Sequence, residues 1–283
     1  MPPIVIGGRR GATLELVSPV MIAAGCFGRG ASAAQRAWLR GVGALVTHTI
    51  TPEPRGRGAL PAVAEAAGGV LYASGLPNRG FERELAASAG SWAGLGLPVV
   101  VSIAADNPRS LAGMAADLDA ISGVAAIEVT PYPAPAGAAG SLAEGAAAVA
   151  AVAALPLLVK LPALPDARAE AFAALDAGAD AIVAAHGWPA RRAGQPHEQL
   201  LLAGPATLPL TLRLVMELAG AGVAPLIACG GVDAVAAARA YFAAGACAVQ
   251  AGSALFRDPT LAAQIAADLA GEASNLDPGR SRG

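Results

Sequence analysis

Lysine is almost absent from this chain: one of its 19 basic Lys and Arg residues is a lysine, Lys160. It lies near the end of the apolar run 155–161 (LPLLVKL), which is typical of a buried strand. A surface lysine can be replaced by arginine without loss, whereas a cation at the carboxyl end of a barrel strand can meet an anionic ligand. The rarity of lysine therefore favours a ligand-binding role for Lys160 over a surface position.

Other absences exclude whole classes of protein. No apolar run is long enough to span a bilayer, and the N-terminus lacks the apolar core of a secretory signal. A net charge of −2 argues against a nucleic-acid or anionic-membrane surface. The cysteines Cys26, Cys229 and Cys247 have no metal-type spacing and form no disulfide framework. We therefore expect a cytoplasmic protein without a metal site, and a small-molecule substrate.

Short apolar runs alternate with alanine-rich amphipathic stretches along the 283 residues. The pattern predicts eight strands, at 19–24, 44–49, 98–104, 125–130, 156–161, 181–185, 225–229 and 246–251. Predicted helices between them include 110–121, 141–154, 167–177, 208–219 and 234–244. The repeat predicts a single-domain α/β fold, a (β/α)8 TIM barrel over residues 1–270, with a flexible C-terminal tail at 271–283. A doubly wound open sheet is the alternative.

Chemistry in such a barrel belongs at the carboxyl ends of the strands. Gly230 and Gly231 follow predicted strand seven, and Gly252 and Ser253 follow predicted strand eight. Each pair precedes a probable helix start, so backbone N–H groups can converge on an anion with no side chain in the way. The two segments predict a phosphate site, although ordinary turn glycines are the alternative.

Several motifs, taken in order, resemble the dihydroorotate dehydrogenase family. They are 18–28 (SPVMIAAGCFG), 49–55 (TITPEPR), 69–80 (GVLYASGLPNRG), 159–161 (VKL), 229–232 (CGGV) and 251–256 (AGSALF). The resemblance runs from about residue 4 to residue 270, and it is closest to the branch that works with an iron–sulphur electron-transfer subunit. It implies a flavin mononucleotide (FMN) barrel and a homodimer, with that electron-transfer subunit as a partner.

The resemblance also assigns the cofactor residues. Lys160 falls on the family's flavin lysine, where an ammonium stabilises the negative charge of the reduced ring, and a hydrogen bond to a charged group contributes about 1.5–3 kcal/mol. The remaining matches are backbone contacts to the ring at Ala23, Ala24 and Gly25, and the phosphate site at Gly230, Gly231, Gly252 and Ser253.

The substrate half of the family pattern is missing. The family holds its carboxylate-bearing pyrimidine with asparagines, but Asn78, Asn107 and Asn275 all lie elsewhere in this sequence. The matching positions carry Tyr72, Thr130, Pro135 and His186, the family's second lysine is replaced by His48, and Pro133 stands in place of the catalytic base. Proline cannot accept a proton, so the resemblance predicts the cofactor but makes dihydroorotate oxidation doubtful.

The replacements suggest a new site. The family pattern directs His48, Tyr72 and His186 toward one cavity above the flavin, where histidine can exchange protons with a substrate and tyrosine can donate to an oxyanion. We therefore predict a flavin-dependent oxidoreductase with a remodelled pocket, in which His48, His186 and Tyr72 are catalytic. Decay of the pocket is the alternative reading of the same residues. A non-catalytic barrel acting as a partner or regulatory subunit, and a flavin-independent lyase or isomerase, are the alternative functions.

Overall fold

The computed structural model describes residues 3–8, 11–27, 33–56, 63–73, 75–132, 141–163, 166–192 and 195–275. Its strands are β1 (Ile4–Gly7), β2 (Thr13–Leu16), β3 (Val20–Ile22), β4 (Ala44–Val46), β5 (Val63–Ala66), β6 (Gly69–Tyr72), β7 (Val99–Ile103), β8 (Val124–Val129), β9 (Leu157–Leu161), β10 (Ala181–Ala184), β11 (Trp188–Arg192), β12 (Gln195–Ala203), β13 (Leu226–Cys229) and β14 (Ala248–Ala251). Its helices are α1 (Ala33–Trp38), α2 (Phe81–Trp92), α3 (Pro108–Asp119), α4 (Leu142–Val152), α5 (Ala167–Asp176), α6 (Leu208–Gly220), α7 (Val235–Ala243) and α8 (Leu261–Asn275).

Eight parallel strands close into a barrel in the order β3, β4, β7, β8, β9, β10, β13, β14. Pairing of β14 with β3 closes the ring, with Gln250 opposite Met21. The closure confirms the (β/α)8 TIM barrel and excludes the open sheet. All eight predicted strands are barrel strands, and the five predicted helices correspond to α3–α7.

The barrel interior is apolar in its lower layers. Met21, Val46, Val100, Leu158 and Ile227 belong to one buried cluster inside the strands. Side chains two positions apart on a strand point to the same side. The next inward positions therefore lie at the carboxyl ends of the strands, and this upper layer is where Lys160 sits, two residues after Leu158.

The β1–β2 hairpin covers the amino-terminal end of the barrel. Its buried residues Ile6, Leu14 and Leu16 pack into the interior cluster. The sequence did not predict this hairpin, because its strands are four residues each and alternate buried with exposed positions. The lower end of the barrel is thus closed by apolar packing, and the opposite end is left for the site.

A second sheet stands over the carboxyl end of the barrel and was also not predicted. It is antiparallel, with the order β11, β12, β6, β5. The β5–β6 hairpin follows barrel strand β4 and the β11–β12 hairpin follows β10, and Tyr72 pairs with Leu201 where they meet. The sequence around His197 is typical of a surface loop, but its backbone lies in β12. Insertions from two distant loops therefore build one wall above the barrel.

Two predicted boundaries differ from the structure for identifiable reasons. Strand β4 ends at Val46 rather than residue 49, because the backbone N–H of Ser102 donates to the hydroxyl of Thr47 instead of to a strand carbonyl. Helix α8 continues to Asn275, past the tail boundary predicted at Gly271, and residues 276–283 lie outside the described part of the chain.

Among the described residues, no helix has the length and apolar character needed to cross a membrane.

Substitution of Gly43 by alanine will test how tightly the barrel is closed beside β4. A Cβ at Gly43 would lie 2.0 Å from the carbonyl oxygen of Ser18, which is backbone and cannot move aside cheaply. We expect G43A to lower the free energy of unfolding by about 1–3 kcal/mol or more, measured by urea denaturation. The control is G90A, since exposed Gly90 in α2 has open space around it and alanine favours a helix by about 0.5–1 kcal/mol. Equal stability of the two variants would contradict the structure.

Candidate active site

A cavity of about 250 Å³ opens at the carboxyl end of the barrel, beneath the second sheet. Its size is near the lower end of the ~300–1,000 Å³ typical of small-molecule sites. The cavity brings together every residue that the sequence predicted for the site: Ala23, Ala24, Gly25, His48, Tyr72, Lys160, His186, Gly230, Gly231, Gly252 and Ser253. These residues come from strand ends, from loops and from the hairpin β5–β6.

Lys160 is buried and ion-paired rather than exposed. Its Nζ lies 2.9 Å from Oε1 of Glu128, and the side chains are 3% and 0% accessible. The other carboxylate oxygen accepts a hydrogen bond from Nε2 of Gln250 at 2.7 Å. Strands β8, β9 and β14 thus meet through one carboxylate. The surface alternative for Lys160 is wrong.

The charge of this lysine is set by two opposing effects. Burial by itself lowers the pKa of Lys160, but the neighbouring Glu128 carboxylate outweighs it, and the pKa lies above its ordinary value. Lys160 therefore remains an ammonium at neutral pH. It has two further N–H groups to offer, since an ammonium carries three and the ion pair engages one.

Gln250 presents an unused acceptor beside this ammonium. Its Oε1 is buried and has no hydrogen-bond partner among the described residues, and Gln250 is one of the residues that line the cavity. Buried polar atoms are normally satisfied, so an orphaned acceptor in a cavity indicates a ligand donor. A ligand edge with an acceptor for Lys160 next to an N–H for Gln250 would satisfy both.

The glycines form a cradle across the cavity from the second sheet. Gly231 has φ 62° and a Cβ there would lie 2.8 Å from Leu208, so only glycine fits. The hydroxyl of Tyr241 donates to the carbonyl of Gly230 at 2.5 Å and holds the turn. Gly252 precedes the 3-10 helix Ser253–Phe256. Two bare backbone turns thus converge as the sequence predicted, and this arrangement suits a phosphate.

The remaining predicted residues, His48, Tyr72 and His186, lie on the wall beneath the second sheet. His48 Nε2 is 2.6 Å from the carbonyl oxygen of Pro77, and the Tyr72 hydroxyl donates to the carbonyl of His186 at 2.8 Å. Burial raises the pKa of Tyr72, and nearby Cys229 and Cys26 raise it further. Tyr72 therefore keeps its proton, which is committed to a backbone oxygen.

His186 carries a neutral imidazole near neutral pH. Burial lowers the pKa of its imidazole to about 3, and the Lys160 ammonium lowers it as well. The ring therefore lacks the imidazolium proton that a general acid at neutral pH would deliver.

Sequence reasoning missed a ladder of buried hydroxyl groups. Thr49 lies 2.9 Å from Ser102, Ser102 lies 3.0 Å from Thr130, and the Thr130 hydroxyl donates to Oε1 of Glu128 at 3.4 Å. Glu128, Ser102 and Gln250 each lie two residues after an interior core residue, so strand alternation could have identified them. The ladder connects the cavity, at Thr49, to the Lys160 ion pair.

Other residues discussed from the sequence have structural roles. The Arg55 guanidinium donates to Tyr132 Oη at 2.6 Å and stacks on its ring, which ties two loops together. Asn78 bonds to Thr51, Leu76 and Gly80, and Asn107 caps α3, so neither amide lines the main cavity. Pro133 and Pro135 lie outside the described residues.

The fold and the site together define a (β/α)8 barrel with a glycine-lined cavity and a buried lysine at its mouth. The family model for dihydroorotate dehydrogenase matches residues 11–272. The chain is 36% identical over 275 residues to the "Dihydroorotate dehydrogenase B (NAD(+)), catalytic subunit" of Desulforudis audaxviator, covering 91% of this chain and 89% of the relative. The protein of the same name from Pelobacter propionicus is 35% identical over 272 residues, covering 90% and 89%.

This chain therefore belongs to the dihydroorotate dehydrogenase family. The predicted resemblance is confirmed, and the relatives named here carry the name of the B-type catalytic subunit. The family supports a flavin-dependent oxidoreductase resembling dihydroorotate dehydrogenase.

Removal of Lys160 will test the ion pair. We expect K160M to lower the free energy of unfolding by about 3–5 kcal/mol, because it leaves the Glu128 charge buried and unpaired. The double variant K160M/E128L removes both charges and should be more stable than K160M alone, as measured by urea denaturation. The control is R213A, which breaks the exposed pair with Glu217 and should change little. Coupling of the two charges would be contradicted if the loss of unfolding free energy in K160M/E128L equalled the sum of the losses in K160M and in E128L, each measured alone.

The His186 imidazole predicts a pH dependence of stability. Its folded pKa of about 3 lies below the ordinary 6.5, so the unfolded state binds more protons between these values. Stability contributed by neutral His186 is complete above about pH 6.5 and is lost as pH falls toward 3. H186N cannot titrate, so its free energy of unfolding should fall less than that of the wild type between pH 7 and pH 4.5. Parallel curves for the two proteins would refute the low pKa.

Proposed function

We propose that the protein is an FMN-dependent oxidoreductase whose substrate is not dihydroorotate. The observation that supports it most directly is the pairing, in one cavity, of a glycine cradle with the buried Lys160 ammonium. The family supports the oxidoreductase class, and the residues of the wall under the second sheet support the change of substrate.

The residues present fit FMN. Gly230, Gly231, Gly252 and Ser253 would hold the phosphate through backbone N–H groups, and Ala23, Ala24 and Gly25 would contact the ring. The orphaned Gln250 Oε1 beside Lys160 matches a ring edge that carries an N–H next to a carbonyl oxygen. FMN, when bound, supplies the two-electron chemistry that the side chains alone lack.

Lys160 stabilises negative charge at the ring edge. Its ammonium is held by Glu128 and cannot rotate away, and burial makes its electrostatic effect stronger than it would be in water. Strand β9 thus contributes a cation that is fixed in place and shielded from water at this end of the cavity.

His48 is the proton-transfer group in this proposal. Its Nε2 must carry hydrogen to bond the Pro77 carbonyl, which leaves a basic lone pair on Nδ1, and a Cβ on Gly25 would lie 3.5 Å from that atom. A base oriented by a carbonyl behind it is the arrangement that general-base catalysis requires. His48 thus receives a proton at Nδ1 when the substrate is oxidised and returns it on reduction. Tyr72 and His186 shape the pocket.

The same wall supports the loss of dihydroorotate oxidation, because the family holds its pyrimidine with asparagines and no described asparagine lines the cavity.

A homodimer remains a prediction. The relatives' name, a catalytic subunit of an NAD(+) enzyme, supports a partner electron-transfer subunit that carries electrons to NAD⁺.

The visible spectrum of the purified protein tests the proposal. We expect yellow protein that releases FMN on denaturation, with bands that dithionite bleaches and dihydroorotate does not. G252A should retain less FMN, because the added Cβ narrows the cradle, while thermal stability should change little since the nearest atom would be 3.4 Å away. The matched control is G113A, because Gly113 is exposed on helix α3 and has open space around it. This variant should retain FMN fully. Colourless wild-type protein that does not take up added FMN refutes the proposal, and rapid bleaching by dihydroorotate refutes the change of substrate.

A further inference from the structure

The cavity wall under the second sheet presents hydrogen-bond acceptors. His48 contributes the first, since the tautomer that donates Nε2–H to the Pro77 carbonyl leaves Nδ1 as an acceptor. Tyr72 contributes the second, because its hydroxyl proton is given to the carbonyl of His186 and only oxygen lone pairs remain.

Thr49 contributes the third acceptor through the direction of the hydroxyl ladder. The Glu128 carboxylate can only accept, so the Thr130 hydroxyl donates to it. Each hydroxyl has one proton. Ser102 must then donate to Thr130, and Thr49 must donate to Ser102. The charge of Glu128 thereby fixes Thr49 Oγ1 as an acceptor at the edge of the cavity.

No fixed positive charge on this wall balances the acceptors. Among the described residues that line the cavity, Lys160 is the one with a fixed positive charge, and Glu128 neutralises it. Asp233 at the opposite rim adds negative charge. A carboxylate placed against this wall would face lone pairs without a cation, which costs free energy because its hydration is lost and not replaced.

Resting on the proposed function, we propose that the substrate is an uncharged molecule that donates N–H or O–H hydrogen bonds to an acceptor wall formed by His48 Nδ1, Thr49 Oγ1 and Tyr72 Oη. A flat cyclic amide or imide has this chemistry. The wall selects against carboxylate-bearing rings such as orotate, and Thr49 is a specificity-determining residue of this wall.

Uracil and orotate provide a matched pair of probes, because orotate is uracil with one added carboxylate. Each is titrated into the purified flavin-containing protein, with heat and the visible difference spectrum as readouts. We expect uracil to bind about tenfold or more tighter than orotate, since an unpaired charge against buried acceptors costs at least one such factor. Uracil that binds no better than orotate, including failure of both to bind, overturns the inference.

Variants of Thr49 distinguish the effect of its acceptor hydroxyl on binding from the effect of cavity shape. T49V removes the hydroxyl at nearly constant volume, and we expect uracil affinity to fall about tenfold. T49S keeps the hydroxyl and should retain wild-type affinity for uracil. Unchanged uracil binding in T49V overturns the role of Thr49. If T49V fails to fold, the affinities of the wild-type protein for uracil and orotate decide whether the acceptor wall exists.

The two proposals fail in different ways. Colourless protein that refuses FMN ends the proposed function, whatever calorimetry shows for the probes. Yellow protein that prefers orotate leaves the FMN proposal intact and ends the acceptor wall.

Discussion

The Lys160–Glu128 ion pair is the constraint on which the upper layer of the barrel depends. Both charges are buried, and neither can remain without the other, because transfer of a lone charge from water into the interior costs several kcal/mol. Pairing keeps the ammonium charged while leaving two of its N–H groups for a ligand. The barrel mouth thereby acquires one fixed, desolvated cation.

The same carboxylate organises groups well away from the lysine. Gln250 donates its amide to Glu128, which leaves its own oxygen without a partner among the described residues. Thr130 also donates to Glu128 and so sets the direction of the ladder as far as Thr49. One negative charge therefore determines acceptor positions on two sides of the site. Hydrogen-bond direction, which no single residue reveals, is a property of this connected network.

Repeated local signals allowed the fold to be predicted, and the unpredicted parts lacked such signals. Eight apolar runs predicted the barrel, and the turns Gly230–Gly231 and Gly252–Ser253 after the last two barrel strands line the cavity. The second sheet was missed because its residues pair across distant loops, as Tyr72 does with Leu201. Glu128 was predicted only as part of the strand 125–130, because a carboxylate within an apolar run gives no sign of its partner. Its parity with Ala126 in β8 places it inside the barrel, and that signal was readable.

In the proposed function the cofactor half of the site is kept and the substrate half is changed, and the two halves are built in different ways. The cradle and the lysine belong to strand ends and backbone turns, where a substitution such as a Cβ at Gly231 collides with neighbouring structure. The opposite wall consists of side chains from loops and an inserted hairpin, whose replacement leaves the barrel hydrogen bonds intact. Family membership therefore constrains the cofactor half strongly and the substrate half weakly. Identification of the substrate has to come from the wall's own chemistry, which is accepting and uncharged.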